Sequence, residues 1–277
     1  MATPDDPRFR ARVEDVTTLS PSLRRVRIGG PPLADWNTSG DPDERVLVAF
    51  PDASERGHRR SYTVRSWDPV MRVVDIDFAV HAGGVAAQWA RSAAPGTPVL
   101  LSSPKGWWNP PVPARRLVLL ADLTALPAAG RIVESLDHRT TVHVVAEIPD
   151  DADRQQWATA AELTVTWLTG TGNGLSPSRL PHTLAALPRL ADAEYVWAGG
   201  EAGAMRVMRT HLRRGLGWSP DRYHMMGYWQ ADKERWLARY AEVEDRIEEL
   251  TARELAAGRT INEVRDAIDD ALSAAGL

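Results

Sequence analysis

The chain contains no cysteine. That absence excludes thiol nucleophiles, disulfides, thiolate zinc sites and cysteine-ligated iron–sulfur clusters, so any redox chemistry must rest on a bound organic cofactor. Long apolar runs are also missing, and the amino-terminal MATPDDPRFRARVED has no apolar core of signal-peptide length. The expected location is the cytoplasm, with no membrane span. An excess of positive charge is lacking too: the formal net charge is -4, which argues against the nucleic-acid backbone as a partner. There is no Walker-type phosphate loop, serine elbow or paired-histidine metalloprotease motif, and the seven histidines lack metal-ligand spacing. No metal site is expected.

What is present fits two ordinary domains. The chain has 277 residues, 43% of them hydrophobic and 25% charged, enough to bury cores of normal size. Eleven tryptophans, several beside glycines or turns, offer aromatic surface for a flat ligand. From Arg24 to about Ser102, short β-type runs (LRRVRI, VLVAF, RSYTV, VVDIDFAV, PVLLS) alternate with Gly, Pro and Asp clusters, the rhythm of a small antiparallel barrel. A helix over Val85–Ala93, entered from Gly83-Gly84, interrupts it.

The proline-dense PKGWWNPPVPARR reads as a linker and places a boundary near Pro110, giving domains over 1–110 and 111–277. Beyond it, buried-type strands LVLLA, VHVVAEI, TVTWL, YVWA and YHMMGYW alternate with helical stretches, including ones near Asp151–Ala160, Ser178–Leu187 and Glu201–Arg214. This pattern predicts a parallel sheet with ligands beyond the carboxyl ends of its strands. From about residue 231 the chain is helical, with Leu237, Tyr240, Val243, Ile247 and Leu250 on one face, a stop at Gly258, and a Thr260/Glu263 capping box opening a last helix.

Four constellations could carry chemistry. The run RRSYTVRSW places an Arg, a Tyr and a Thr within four residues of one strand: either an ordinary half-exposed strand, or a phenol, a hydroxyl and a guanidinium offered to a flavin. DFAVHAGGVAAQWA passes from a strand through glycines into a helix start, where free amides attract phosphate; a routine strand-to-helix connection explains it equally. ADLTALPAAGRIVESL and YVWAGGEAGAMRVMRTHL each begin a helix at the end of a parallel strand, with Glu201 able to meet a ribose hydroxyl or to cap its helix. GTGNGL has Leu175 where a dinucleotide fingerprint needs its last glycine, and reads as a turn.

In order and spacing, RRSYTVR, DFAVH with GGVAAQWA, PGTPVLLSSPKG, DLTALPAAGRI, and YVWAGGEAGAMRVMR through GYW resemble the siderophore-interacting protein family, over roughly Arg8–Trp229. The resemblance implies an α+β two-domain, ferredoxin-reductase-like fold: an antiparallel β-barrel FAD domain, then an α/β parallel-sheet nucleotide-binding domain with a C-terminal helical extension. It implies FAD held by Arg60, Ser61, Tyr62 and Thr63 around the flavin and by His81, Gly84, Ala86 and Ala87 near its phosphates. Asp77, Phe78 and Val80 would line the same cleft, and Thr124 and Ala125 the domain junction. Ala198, Gly199, Gly200 and Glu201 would face NADH or NADPH, with no basic pair to choose between them.

The implied activity is a ferric-siderophore reductase, a flavin-dependent oxidoreductase that passes electrons from NAD(P)H or a ferredoxin-like carrier through flavin to Fe(III). Flavin is suited to this because it takes up a hydride pair and releases single electrons. The protein needs no catalytic side chain of its own, only a basic mouth for an anionic chelate, for which Lys105, Arg115, Arg116 and Lys233 are the candidates. Departures from the family pattern fall at Ser103 for glycine, Lys105 for arginine, Ala87 for serine, Ala121-Asp122-Leu123-Thr124 for Gly-Asp-Glu-Thr, and Gln230 for arginine. They keep open a relative redirected to another redox or biosynthetic reaction, or a non-catalytic flavin or siderophore binder. The terminal helices fit a monomer or a homodimer.

Overall fold

The computed structural model describes residues 7–50, 58–81, 84–112, 114–188 and 190–277. Seven strands form the first sheet: β1 (Phe9–Ser20), β2 (Leu23–Gly29), β3 (Arg45–Phe50), β4 (His58–Thr63), β5 (Ser66–Asp68), β6 (Val73–Ala79) and β7 (Pro98–Leu101). Their order is β4-β3-β7-β1-β2-β6-β5, with antiparallel neighbours. The sheet rolls into a barrel. Beyond β4 at one edge, the Arg65 amide donates to the Asp75 carbonyl of β6 at 2.8 Å, and the Tyr62 and Phe78 rings lie 4.4 Å apart. Phe50 and Trp89 complete an aromatic cluster inside it. Burying each such ring contributes roughly 2–3 kcal/mol.

β1 lies centrally in the barrel although its sequence, FRARVEDVTTLS, does not alternate cleanly. Register shifts against β2 after Val13 and after Thr18 break the period of two. The barrel α-helix α1 (Val85–Ser92) falls close to its expected place, while Gly83 of the entering glycine pair lies outside the described residues.

The second sheet is parallel and has the order β10-β9-β8-β11-β12. Its strands are β8 (Arg116–Ala121), β9 (Thr141–Ile148), β10 (Glu162–Thr169), β11 (Tyr195–Glu201) and β12 (Tyr223–Trp229). Helices α2 (Leu126–Ser135), α3 (Leu180–Ala186) and α4 (Ala202–Thr210) pack on it. The chain steps outward from β8 to β10 and then returns to β11 on the other side of β8. The switch point therefore lies between β8 and β11.

The expected helix at Asp151–Ala160 is reduced to one short turn at Asp151–Asp153. Tertiary contacts override its propensity: Trp157 packs so tightly over Gly130 of α2 that a Cβ there would fall 2.6 Å from Nε1, and Thr159 donates to the Val133 carbonyl at 2.6 Å. The helix at Glu201–Arg214 ends as α4 and then widens, Leu216 donating to the carbonyl of His211 five residues back.

After β12 the single expected helix is two, α5 (Lys233–Tyr240) and α6 (Glu244–Ala256), followed by α7 (Ile261–Ala274). Gly258 takes φ +74, and Thr260 and Glu263 form both halves of the capping box. Helix α7 docks on the α/β unit through charge: Asp269 pairs with buried Arg209, Asp270 with Arg213 and Arg214, and Asp266 accepts from the Tyr223 hydroxyl at 3.1 Å. Burial lowers Arg209 to about 10. Among the described residues no helix is long and apolar enough to cross a membrane.

The two sheets are fastened to each other. Asp43 Oδ1 accepts the amides of Trp107 and Trp108 in the connecting segment at 2.8 and 2.9 Å, and Oδ2 accepts Trp197 Nε1 of β11 at 3.3 Å. Arg131 of α2 reaches buried Glu44 and the Val64 carbonyl, and Arg65 forms a two-pronged pair with Glu134 of α2.

Candidate functional site

The end of β4 meets the switch point of the parallel sheet. On β4, Arg60 and Ser61 are exposed, Tyr62 is half-buried against Phe78, and Thr63 is buried. Thr63 Oγ1 lacks a well-formed hydrogen bond, although the buried Tyr228 hydroxyl lies close enough to interact with it. Burial raises the pKa of Tyr62, so its hydroxyl stays protonated.

Helix α1 starts beside this strand without a side-chain cap. The amides of Val85, Ala86 and Ala87 have no protein acceptor among the described residues, the first intrahelical donor being Gln88 to Gly84 at 3.0 Å. Gly84 has φ +77, which suits glycine, and a Cβ there would come 3.3 Å from His81 Cε1. His81 is exposed and its carbonyl accepts from Arg91. Ala87 is buried, so its contribution to an anion site is its amide.

At the switch point, Asp122 is 1% exposed. Its Oδ1 accepts the Thr124 amide and hydroxyl at 2.9 and 2.6 Å, and its Oδ2 accepts Trp229 Nε1 at 2.6 Å. Burial pushes this carboxyl up to about 6 against the pull of those donors. Opposite lies Gly200, where a Cβ would fall 2.7 Å from Asp122 Oδ2; only glycine lets the two strand ends approach this closely. Gly199 serves packing instead, since a Cβ there would meet Ala125 at 2.8 Å and Tyr228 at 3.1 Å. Ala198 is wholly buried. Glu201 caps α4, accepting from Ala204 at 2.8 Å, and also holds Gln230 and Ala231.

Other expected residues sit elsewhere. Asp77 is closed off by a bidentate pair with Arg25 at 2.7 and 2.8 Å, and Phe78 is sealed in the barrel core, so neither side chain lines an open cleft. Val80 is half-buried, its amide bound to the Ser22 carbonyl. Arg115 and Arg116 stand at the amino end of β8, the opposite end from the switch point, and are engaged by Glu194. This corrects their placement in a basic mouth: five strand steps separate them from the crevice, on the order of 16 Å. Lys105 is exposed and its backbone pairs with Arg45. Lys233 opens α5, and its side chain lies outside the described residues.

The residues that sequence reasoning missed form the wall between the sheets. The Arg45 guanidinium lies over the rings of Trp107 at 4.2 Å and Tyr228 at 5.2 Å. Asp43, Arg45 and Tyr228 come from a turn, a strand start and a strand end, and the one signal available was the Trp-rich linker itself.

The comparisons agree with this architecture. The model of the siderophore-interacting FAD-binding domain matches residues 47–108, and that of siderophore-interacting proteins matches residues 114–232. The solved siderophore utilization protein from T. fusca is 30% identical, covers 83% of this chain and 95% of its own, and superposes with a TM-score of 0.70. The NADPH-dependent ferric-chelate reductase of Escherichia coli is 26% identical over 82% of this chain and 95% of its own length. A ferredoxin NADP+ reductase from Neisseria gonorrhoeae, 15% identical over 79% of this chain and 98% of its own, shares the fold with a TM-score of 0.61. The chain spans about a quarter (26%) of the length of a mycobactin import ATP-binding/permease protein from Mycolicibacterium smegmatis, to which it is 28% identical over 79% of this chain. With its barrel, its switch-point crevice and matched models on both sheets, the chain belongs to the siderophore-interacting protein family and carries that family's FAD-binding domain.

Proposed function

We propose that the protein is an FAD-dependent ferric-siderophore reductase using NADPH or NADH, with a FAD domain over residues 1–110 and a nucleotide domain over 111–277. The observation that carries this is a set of polar groups on the barrel: three α1 amides with no acceptor among the described residues, beside Thr63 Oγ1 without a well-formed bond. Their chemistry fits FAD, the amides offering donors to a pyrophosphate and Thr63 a hydroxyl to the polar edge of a flat ring system.

When bound, FAD supplies the conversion of a hydride pair from the nucleotide into single electrons for ferric iron. The chain's residues bind and orient. Tyr62, backed by Phe78, offers a rigid aromatic face, and exposed Arg60 and Ser61 extend the polar strand beside it. Gly84, Ala86 and Ala87 supply backbone donors, His81 flanks them and Val80 precedes His81. Thr124 and Ala125 form the floor of the junction, and Ala198 to Glu201 the strand end that a nicotinamide nucleotide approaches. The substrate is an anionic ferric chelate, with Lys105 and Lys233 as its remaining basic candidates. Reduction releases the metal because hard oxygen donors hold ferric iron far more tightly than ferrous.

The test is a visible spectrum of the FAD-loaded protein, followed anaerobically by NADH or NADPH, then a ferric hydroxamate or catecholate with a ferrous trap. Bleaching by nucleotide and recovery with ferrous release are expected. A protein that refuses FAD would overturn the reading, and one that bleaches but reduces no ferric chelate would restrict it to another flavin reaction.

A further inference from the structure

A pocket of about 450 Å³ opens at the amino ends of β11 and β12, the opposite end of the parallel sheet from Gly200. Its size falls within the range of small-molecule sites. Three aromatic side chains line it: Trp107 from the connecting segment, Tyr195 from β11 and Tyr223 from β12. The fourth ring is His224, 6% exposed, whose imidazole makes no hydrogen bond among the described residues. Three other polar groups nearby are engaged. The Tyr195 hydroxyl meets the Asn109 backbone, the Tyr223 hydroxyl donates to Asp266, and Glu263 closes the capping box with Thr260. His224 therefore brings to this aromatic cavity a mostly buried imidazole that makes no hydrogen bond among the described residues.

We propose that this pocket is a second binding site, for a planar aromatic ring carrying a hydroxyl group. The walls select flat rings, which stack on Trp and Tyr. Burial and the nearby Arg265, Arg45 and Arg209 hold the imidazole neutral, lowering it to about 3. A neutral imidazole has one donor and one acceptor nitrogen, the complement of a hydroxyl, which both donates and accepts. At the rim, Asp221 and Glu263 disfavour a ligand bearing a full negative charge. A phenol satisfies all of these conditions, a benzoate violates the last and a saturated alcohol the first.

The experiment uses FAD-loaded protein and calorimetric titration with phenol, benzoate and cyclohexanol. Phenol should bind saturably with a Kd at or below about 1 mM, with the other two at least ten-fold weaker. His224→Phe, which keeps a ring of similar bulk and removes both nitrogens, should weaken phenol at least ten-fold while its FAD spectrum is unchanged. Nitrogen NMR of the unaltered protein gives a readout independent of that variant: saturating phenol should shift the His224 ring signals. Absence of saturable phenol binding, equal binding of benzoate, retention of affinity in His224→Phe, or unmoved His224 signals would each overturn the proposal.

Discussion

In the barrel, β4 presents Arg60 and Ser61 to solvent and α1 opens with three amides that find no acceptor among the described residues; at the carboxyl ends of the parallel sheet, Asp122, Glu147 and Glu201 each already hold several protein donors. A ligand arriving at the barrel makes new hydrogen bonds without breaking old ones. One arriving at the sheet must displace existing ones, and its net gain is small. The contrast matches a tightly held group on the barrel and a partner that comes and goes on the sheet.

The largest test removes a committed group. Glu147 is fully buried and accepts from Ser178 Oγ at 2.8 Å, Thr171 Oγ1 at 3.2 Å and the Arg179 amide. Glu147→Ala is expected to cost roughly 3–5 kcal/mol in urea unfolding and to leave FAD affinity within about two-fold of the parent, since 1.4 kcal/mol is already ten-fold. Parallel losses of both would show that the two sheets are not separate in this respect.

Asp122 gives the next effect. Burial raises its carboxyl from the ordinary carboxylate range to about 6, so near pH 5 the folded state holds a proton that the unfolded chain releases. Its contribution is fully present below about pH 4 and is lost as pH rises through 6, on the order of 2–3 kcal/mol. Unfolding free energies measured from pH 4 to 7 should fall less steeply in Asp122→Asn; identical slopes would contradict the assignment. On the barrel side, Tyr62→Ala should weaken FAD about ten-fold, or ~1.4 kcal/mol, while Tyr62→Phe should stay near the parent. Fluorescence titration of the flavin reads both. Smallest is Glu201→Ala, which removes the α4 cap and is expected to cost about 1 kcal/mol in thermal unfolding.

Much of this organisation was legible because it rests on local chemistry. The alternation of strand and helix after Pro110, the barrel runs from Leu23 to Ser102 and the Thr260/Glu263 box each carry their reason within a few residues. Strand β1 was not legible, because its bulges break the alternation and its pairing with β2 and β7 is supplied by distant chain. The gap between α5 and α6 was hidden because the apolar spacing runs through it. In the site, positions on β4 and α1 followed from a contiguous motif, whereas the Asp122–Trp229 bond joins residues 107 positions apart. Arg115 and Arg116 were misplaced for the same reason: charge shows in sequence, but the end of the sheet at which it stands does not.

Asp43 ties three parts of the chain with one carboxylate: the turn before β3, the paired tryptophans of the connecting segment, and β11 through Trp197. Mechanically this is a pivot. An opening of the two halves that keeps those bonds but breaks the pairs of Arg131 and Arg65 at α2 would turn about Asp43. Burial also raises the pKa of Asp43, so its protonation on acidification would weaken all three attachments together and leave Arg131 and Arg65 of the barrel–α2 pairs to hold the two halves.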